Sequence, residues 1–158
     1  MNQTSRLEVA RWETERHAHA LRTALQEWDG LPSQPWSTLE TNAALVRLLD
    51  QILYRFLKLQ DAVGERLLPA TLAELAEPSD DWPMRDRLDR LERLGFLDTT
   101  QWLAWRGVRN RLAHEYPDMP EMRWAALRDA LDSAHALLGC VAAWLIKLPP
   151  AFETPQSG

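Results

Sequence analysis

The sequence predicts an all-α protein, an up-and-down bundle of about five helices, and three observations carry that prediction. Two long stretches repeat apolar residues at alternating three- and four-residue steps, the rhythm of one helical face. No stretch alternates apolar and polar residues with the period of two that a half-buried strand needs. Only six glycines occur in 158 residues, too few for a turn-rich β-protein. A chain of this length can bury roughly two-thirds of its unfolded surface in one core. With 46% hydrophobic residues and 26% charged residues of both signs, it reads as one folded domain and not as a disordered segment.

The first helix is expected from about Arg6 to Trp28. Leu7, Ala10, Leu21, Ala24 and Trp28 keep one phase, Thr14 and His17 interrupt it, and the loop from Gly30 to Ser37, with Pro32 and Pro35, closes it. The second helix carries Leu45, Leu49, Ile52, Phe56, Leu59 and Val63, and Gly64 to Pro69 bring it toward its end. A short extra turn has room near Thr71 to Ala76. A third helix runs from Pro83 to Leu94 and stops at Gly95; its run of opposite charges, Arg85 to Arg93, is a solvated face.

The fourth helix starts at Asp98, which has capping spacing to Gln101. Pro117 disfavours helical backbone at Tyr116, so His114 is expected in the final turn and Tyr116 at the exit. The fifth carries Trp124, Leu127, Leu131, Ala134, Leu138, Val141 and Leu145. Asp118 and Glu121 are spaced as a capping box, Pro120 suits a first turn, and Pro149 and Pro150 stop the helix. The result is a helical domain over 1–148 with the two long helices as its central pair, and a flexible tail over 149–158.

Composition narrows the function classes. The single Cys140 lies among apolar neighbours, reads as a small buried hydrophobe and has no intrachain partner, so a reducing cytoplasm is the default. The N-terminus lacks an apolar signal core and no apolar run approaches the ~18 residues of a bilayer span, so a soluble protein with no membrane partner is expected. A formal charge of −5 argues against a broad basic face for nucleic acid. Arg106, Arg109, Arg111, Arg123 and Arg128 do cluster in sequence, but Glu115, Asp118, Glu121 and Asp129 interrupt them, which leaves room for a tight RNA channel only. His17 and His19 lie two apart without a third ligand, so neither a metal nor another cofactor is expected, and His135 beside an apolar stripe reads as structural. Trp102 and Trp105 have the spacing to stack bases, but packing is the expected role; Trp82 is expected to be more exposed.

One segment combines residue types that do chemistry: Arg109-Asn110-Arg111-Leu112-Ala113-His114-Glu115-Tyr116. An arginine grips phosphate through its planar fork and a histidine moves protons near neutral pH, the two functions needed to cleave RNA with the ribose 2′-OH as nucleophile and no metal. Asn110 and His114, four apart, are expected to be neighbours on a helical face with Arg106 one turn back, and the negative end of the helix favours an imidazolium. Arg109, five residues from His114, lies about 140° away around an ideal helix. A shared phosphate therefore calls for more than one helix, which a symmetric homodimer supplies. Asp61 or Gln60, on the second helix, are candidates to line such a cleft.

This run resembles the signature of the HEPN superfamily, Arg, a polar residue, three further residues, then His, and its His-x-Tyr ending is similar to the HepT branch. The resemblance covers most of the chain in helix order, with the motif at the end of the penultimate helix, and is specific over these eight residues. It implies a HEPN-like bundle acting as a homodimeric ribonuclease toxin of a toxin–antitoxin system. It implies Arg109 and His114 as the catalytic pair, Asn110 orienting the histidine or contacting RNA, and Arg106 and Arg111 as further RNA contacts. It further implies Tyr116 as acceptor of AMP groups from a cognate nucleotidyltransferase antitoxin. The alternatives are a non-catalytic helical module that binds a nucleotidyltransferase partner or a nucleotide, and a plain helical interaction protein.

Overall fold

The computed structural model describes residues 5–149, and every regular element among them is helical. Helix α1 (Arg6–Asp29) starts from a reciprocal cap: the Ser5 hydroxyl accepts from the Glu8 amide, and the Glu8 carboxylate accepts from the Ser5 amide. Its core face runs through Ala10, Thr14, His17, Ala18, Leu21, Ala24 and Leu25. Thr14 and His17 thus continue the stripe they were expected to interrupt, because both are buried polar residues at helical spacing.

The His17 Nδ1 lies 3.0 Å from an Arg55 guanidinium nitrogen, so the neutral ring accepts there. Burial first, and the Arg55 cation second, hold the His17 proton affinity below that of an ordinary histidine. The unfolded chain therefore protonates first as pH falls: the contribution to stability is complete above about 6.5 and is lost on descending toward the lower folded value. Urea unfolding midpoints measured from pH 7.5 down to pH 5 are expected to drop less for His17→Gln than for the parent chain; parallel curves would contradict this.

After the single turn α2 (Trp36–Leu39), α3 (Ala43–Ala62) opens on Asn42, whose side-chain oxygen accepts from the Ala44 and Leu45 amides. Leu45, Leu49, Ile52, Phe56, Leu59 and Val63 are all buried, as their spacing predicts. The helix does not end at Gly64 to Pro69. It passes through one π turn (Val63–Leu67), in which the Leu68 amide reaches back to the Val63 carbonyl, and continues as α4 (Leu68–Glu74). Widening the turn by one residue is what lets Pro69, which has no amide hydrogen and a ring that crowds the preceding turn, sit in a continuing helix. Gly64 is needed there for space, since a Cβ would lie 3.2 Å from the buried Trp102 ring.

Helix α4 stops with Ala76 at φ 55°, where the Glu77 amide bonds the Leu72 carbonyl and the Ala76 amide the Ala73 carbonyl. Alanine at this left-handed position carries a steric cost that glycine avoids. Ala76→Gly is therefore expected to raise unfolding free energy by about 0.5–1 kcal/mol, read as a higher urea midpoint at unchanged slope. An unchanged or lower midpoint would refute this account of the helix end.

Helix α5 (Met84–Arg93) ends as predicted at Gly95, φ 84°, with the Phe96 amide on the Leu91 carbonyl. Helix α6 (Thr99–Leu112) is capped by the Asp98 carboxylate on the Gln101 amide, and α7 (Pro120–Lys147) closes the bundle. The expected Asp118 cap is absent: Asp118 is used in a turn, and Met119 takes the cap position without a side-chain bond. By length and composition α7 is apolar enough to cross a bilayer, contrary to the run-length reading, but Ala130, Ala134, Leu137, Val141 and Trp144 spend that apolar face on the bundle core.

Helix α1 packs mainly on α3 and the π turn, while α7 lies against α6, α1 and α3. Cys140 is half-buried with its thiol directed at the Phe96 carbonyl, 3.7 Å away, and burial pushes its pKa up to about 11, so it stays a thiol. Trp82 is partly exposed, more so than the buried Trp102 and Trp105, as expected. Pro149, the first residue of the expected tail, accepts at its carbonyl from Arg11 at 2.7 Å; the rest of that tail lies outside the described residues.

Candidate functional site

Trp102, Trp105 and Val108 fix α6 to the core, and their burial decides where the motif side chains go. With Val108 inward, the helical period turns Arg109 toward α3 and Arg111 toward α7. Arg109 forms an ion pair through one terminal nitrogen with Asp61, near the end of α3, each side chain about one-third exposed. Arg111 pairs with Asp129 of α7 at 3.1 Å. Arg106 and Asn110 are exposed on the same helix. Asp61 is thus beside the motif, as one expectation had it. Gln60 is not a lining residue: it is buried, and its amide donates to the Trp105 carbonyl at 3.1 Å, tying α3 to α6 just beneath the Arg109–Asp61 pair.

His114 lies outside the final turn where it was expected. The helix ends at Leu112, and the Ala113 and His114 amides bond the carbonyls three residues back, Asn110 at 3.3 Å and Arg111 at 3.1 Å. The cause is the reversal that follows. Tyr116 takes φ 47°, and a turn closed by the Met119 amide on the Tyr116 carbonyl at 3.1 Å carries Pro117 at its second position. Asn110 and His114 therefore do not stack as helical neighbours. His114 instead projects to solvent with its ring 5.8 Å from the Tyr116 ring, tilted by 54°.

A non-glycine residue at positive φ costs about 1–3 kcal/mol and persists only where its surroundings hold it. Arg123 supplies that hold. It donates to the Tyr116 carbonyl at 2.7 Å and the Pro117 carbonyl at 3.3 Å, and to Glu40 at 2.6 and 3.0 Å. Trp124 adds its indole N–H to the same Glu40 oxygen at 3.1 Å. The Arg123 bond, chiefly, holds the Glu40 carboxyl below the usual carboxylate range. This clamp was not legible in the sequence, because Glu40 lies 83 residues from Arg123 and is marked by no spacing rule.

Among the described residues no hydrogen bond joins Arg109 to His114 or Asn110 within one chain. The chain thus presents the guanidinium on its α3 side and the imidazole on the loop. Of the remaining candidates, Trp102 and Trp105 are core residues in an edge-to-face pair 6.2 Å apart, so they offer no face to a base. His135 reaches Asp29 at 3.3 Å and links α7 to the end of α1. No group of three or more His, Cys, Asp or Glu among the described residues is arranged to hold a metal ion.

Comparison with protein-family models, curated proteins and solved structures gives no match for this chain.

Proposed function

We propose that this chain is a HEPN-class, metal-independent endoribonuclease, a cytoplasmic toxin acting as a homodimer whose cleft joins Arg109 of one protomer to His114 of the other. The observation that carries the reading is the pairing of an exposed imidazole on a clamped loop with a fixed guanidinium at the same helix end. Arg109 binds the scissile phosphate. Its ion pair with Asp61, about one-third exposed, is worth no more than about 1 kcal/mol, so a phosphate offering charge-assisted bonds can compete for the remaining donors.

In the reaction the 2′-oxygen bonds to phosphorus and the P–O5′ bond breaks. The His114 imidazole of that site accepts the 2′-OH proton and, as the imidazolium so formed, delivers it to the leaving 5′-oxygen. The products are a 2′,3′-cyclic phosphate and a 5′-hydroxyl. Asn110 orients the imidazole or the RNA, with Arg106 and Arg111 as outer contacts. AMP transferred to Tyr116 by a nucleotidyltransferase antitoxin would stand against the His114 ring and add negative charge where RNA must enter. Purified protein is expected to cut tRNA or mRNA in EDTA and leave cyclic phosphate ends; intact RNA under all conditions would eliminate the reading.

The Arg109–Asp61 pair also suits a second reading, a non-catalytic module in which that pair only clamps α6 to α3. Co-expression separates the two. A toxin slows growth alone and is relieved by its partner, with added AMP mass on Tyr116, whereas a module is harmless at any level.

A further inference from the structure

Three of the five arginines that cluster in sequence are taken up in ion pairs. Arg109, Arg111 and Arg123 are each neutralised by a carboxylate. Among the described cations that have no carboxylate partner, Arg16, Arg55 and Lys58 lie together around His17, on the outer side of α1 and α3. Two aromatic rings interleave with them. Arg16 stacks over Trp12 at 5.5 Å, and Arg55 and Lys58 stack over Tyr54 at 5.4 and 5.7 Å. Both rings are turned to solvent, Trp12 at 62% and Tyr54 at 51% exposure. Glu13 nearby is already used by Arg66, and Asp50 is the acidic residue one turn before Tyr54. Tyr54, Lys58 and Asp61 fall within about 60° on one face of α3, so Arg109, held on Asp61, lies only about 10 Å further along the helix axis than Tyr54.

We propose that this α1–α3 face, from Trp12 and Arg16 through Tyr54, Arg55 and Lys58, is a track for single-stranded RNA that delivers the strand to Arg109; the assignment of RNA as cargo rests on the reading above. Cations meet the phosphates, and exposed rings already paired with cations take unstacked bases on their faces, a combination that selects single strands over duplexes and is tolerant of sequence. It also resolves the low net charge: a narrow local stripe suffices where a whole basic surface is absent.

The test uses full-length His114→Ala protein, so that cleavage cannot intrude, and a fluorescein-labelled twelve-nucleotide oligouridine read by anisotropy. Added to that background, Tyr54→Ala is expected to weaken binding about tenfold. Lys58→Ala should weaken it several-fold and make the plot of log affinity against log salt shallower by about one unit. Arg85→Ala, on the distant α5, should change nothing. Equal affinity in the Tyr54 and Lys58 variants, equal loss in the Arg85 variant, or no binding even at low salt each overturns the track. Binding along this face by a chain that cuts no RNA would retain the track and discard the nuclease; cleavage with both variants binding normally would do the reverse.

Discussion

His114→Ala is expected to lower RNA cleavage by about 10²–10⁴-fold, the usual worth of a positioned proton-transfer group, while leaving the fold intact. The second half of that expectation follows from placement. His114 is exposed, lies beyond the end of α6, and ties into the fold through its backbone amide on the Arg111 carbonyl at 3.1 Å, which alanine retains. Thermal midpoints of the two proteins should therefore agree, and cleavage of a defined RNA in EDTA reads the chemistry alone. Equal rates would remove His114 from the reaction.

The geometry permits a sharper form of the same experiment. On the proposed reading, with Arg109 engaged on α3 and His114 standing on the loop, the cleft draws the two from different chains of a symmetric dimer. Mixing inactive Arg109→Ala and His114→Ala protomers, with time to exchange, gives half mixed dimers, each with one complete site. About a quarter of the parent activity should return. A site built within one chain would regain nothing, since neither protomer carries both groups.

The fold was legible where apolar spacing alone decides it. Six positions from Leu45 to Val63 and most of the α7 stripe are buried as their periodicity requires. What escaped were features set by partners remote in sequence. The close approach of Trp102 to Gly64 within the π turn is one, and Thr14 and His17 looked like breaks because polarity, read without the neighbouring helix, says nothing of burial. The same holds for the candidate site. Residue types and spacing singled out Arg109 and His114, and Asp61 followed from helix adjacency, but the exit of His114 from the helix depends on the Tyr116 backbone and on Arg123, neither of which a spacing rule registers. The stripe of Arg16, Arg55 and Lys58 is assembled from two helices: the helical spacing of Arg55, Lys58 and Asp61 marks an ionic face of α3, but no spacing rule joins Arg16 to it.

Trp144→Ala is expected to be the most destabilising single change, at about 3–5 kcal/mol. The side chain is fully buried near the end of α7, packs against Phe96 at 5.5 Å, and donates its indole N–H to the Thr71 hydroxyl at 3.0 Å. Thr71 in turn donates to the Leu67 carbonyl at 2.7 Å, a carbonyl of the π turn where the regular ladder is out of step. Alanine leaves a cavity and an unmet acceptor together. Against a total stability of about 5–15 kcal/mol, the loss should lower Tm by roughly 8–16 °C. Trp144→Phe, which keeps most of the volume but not the N–H, should cost clearly less, and Trp12→Ala on the surface almost nothing. The consequence reaches the candidate site, because Arg123, on the first turns of the same rigid helix, holds the Tyr116 and Pro117 carbonyls. A loosened α7 should release the loop bearing His114, so RNA cleavage should fail at a lower temperature than global unfolding in the Trp144→Phe protein. Coincident loss of activity and fold would show that the loop is held independently of the packing of α7.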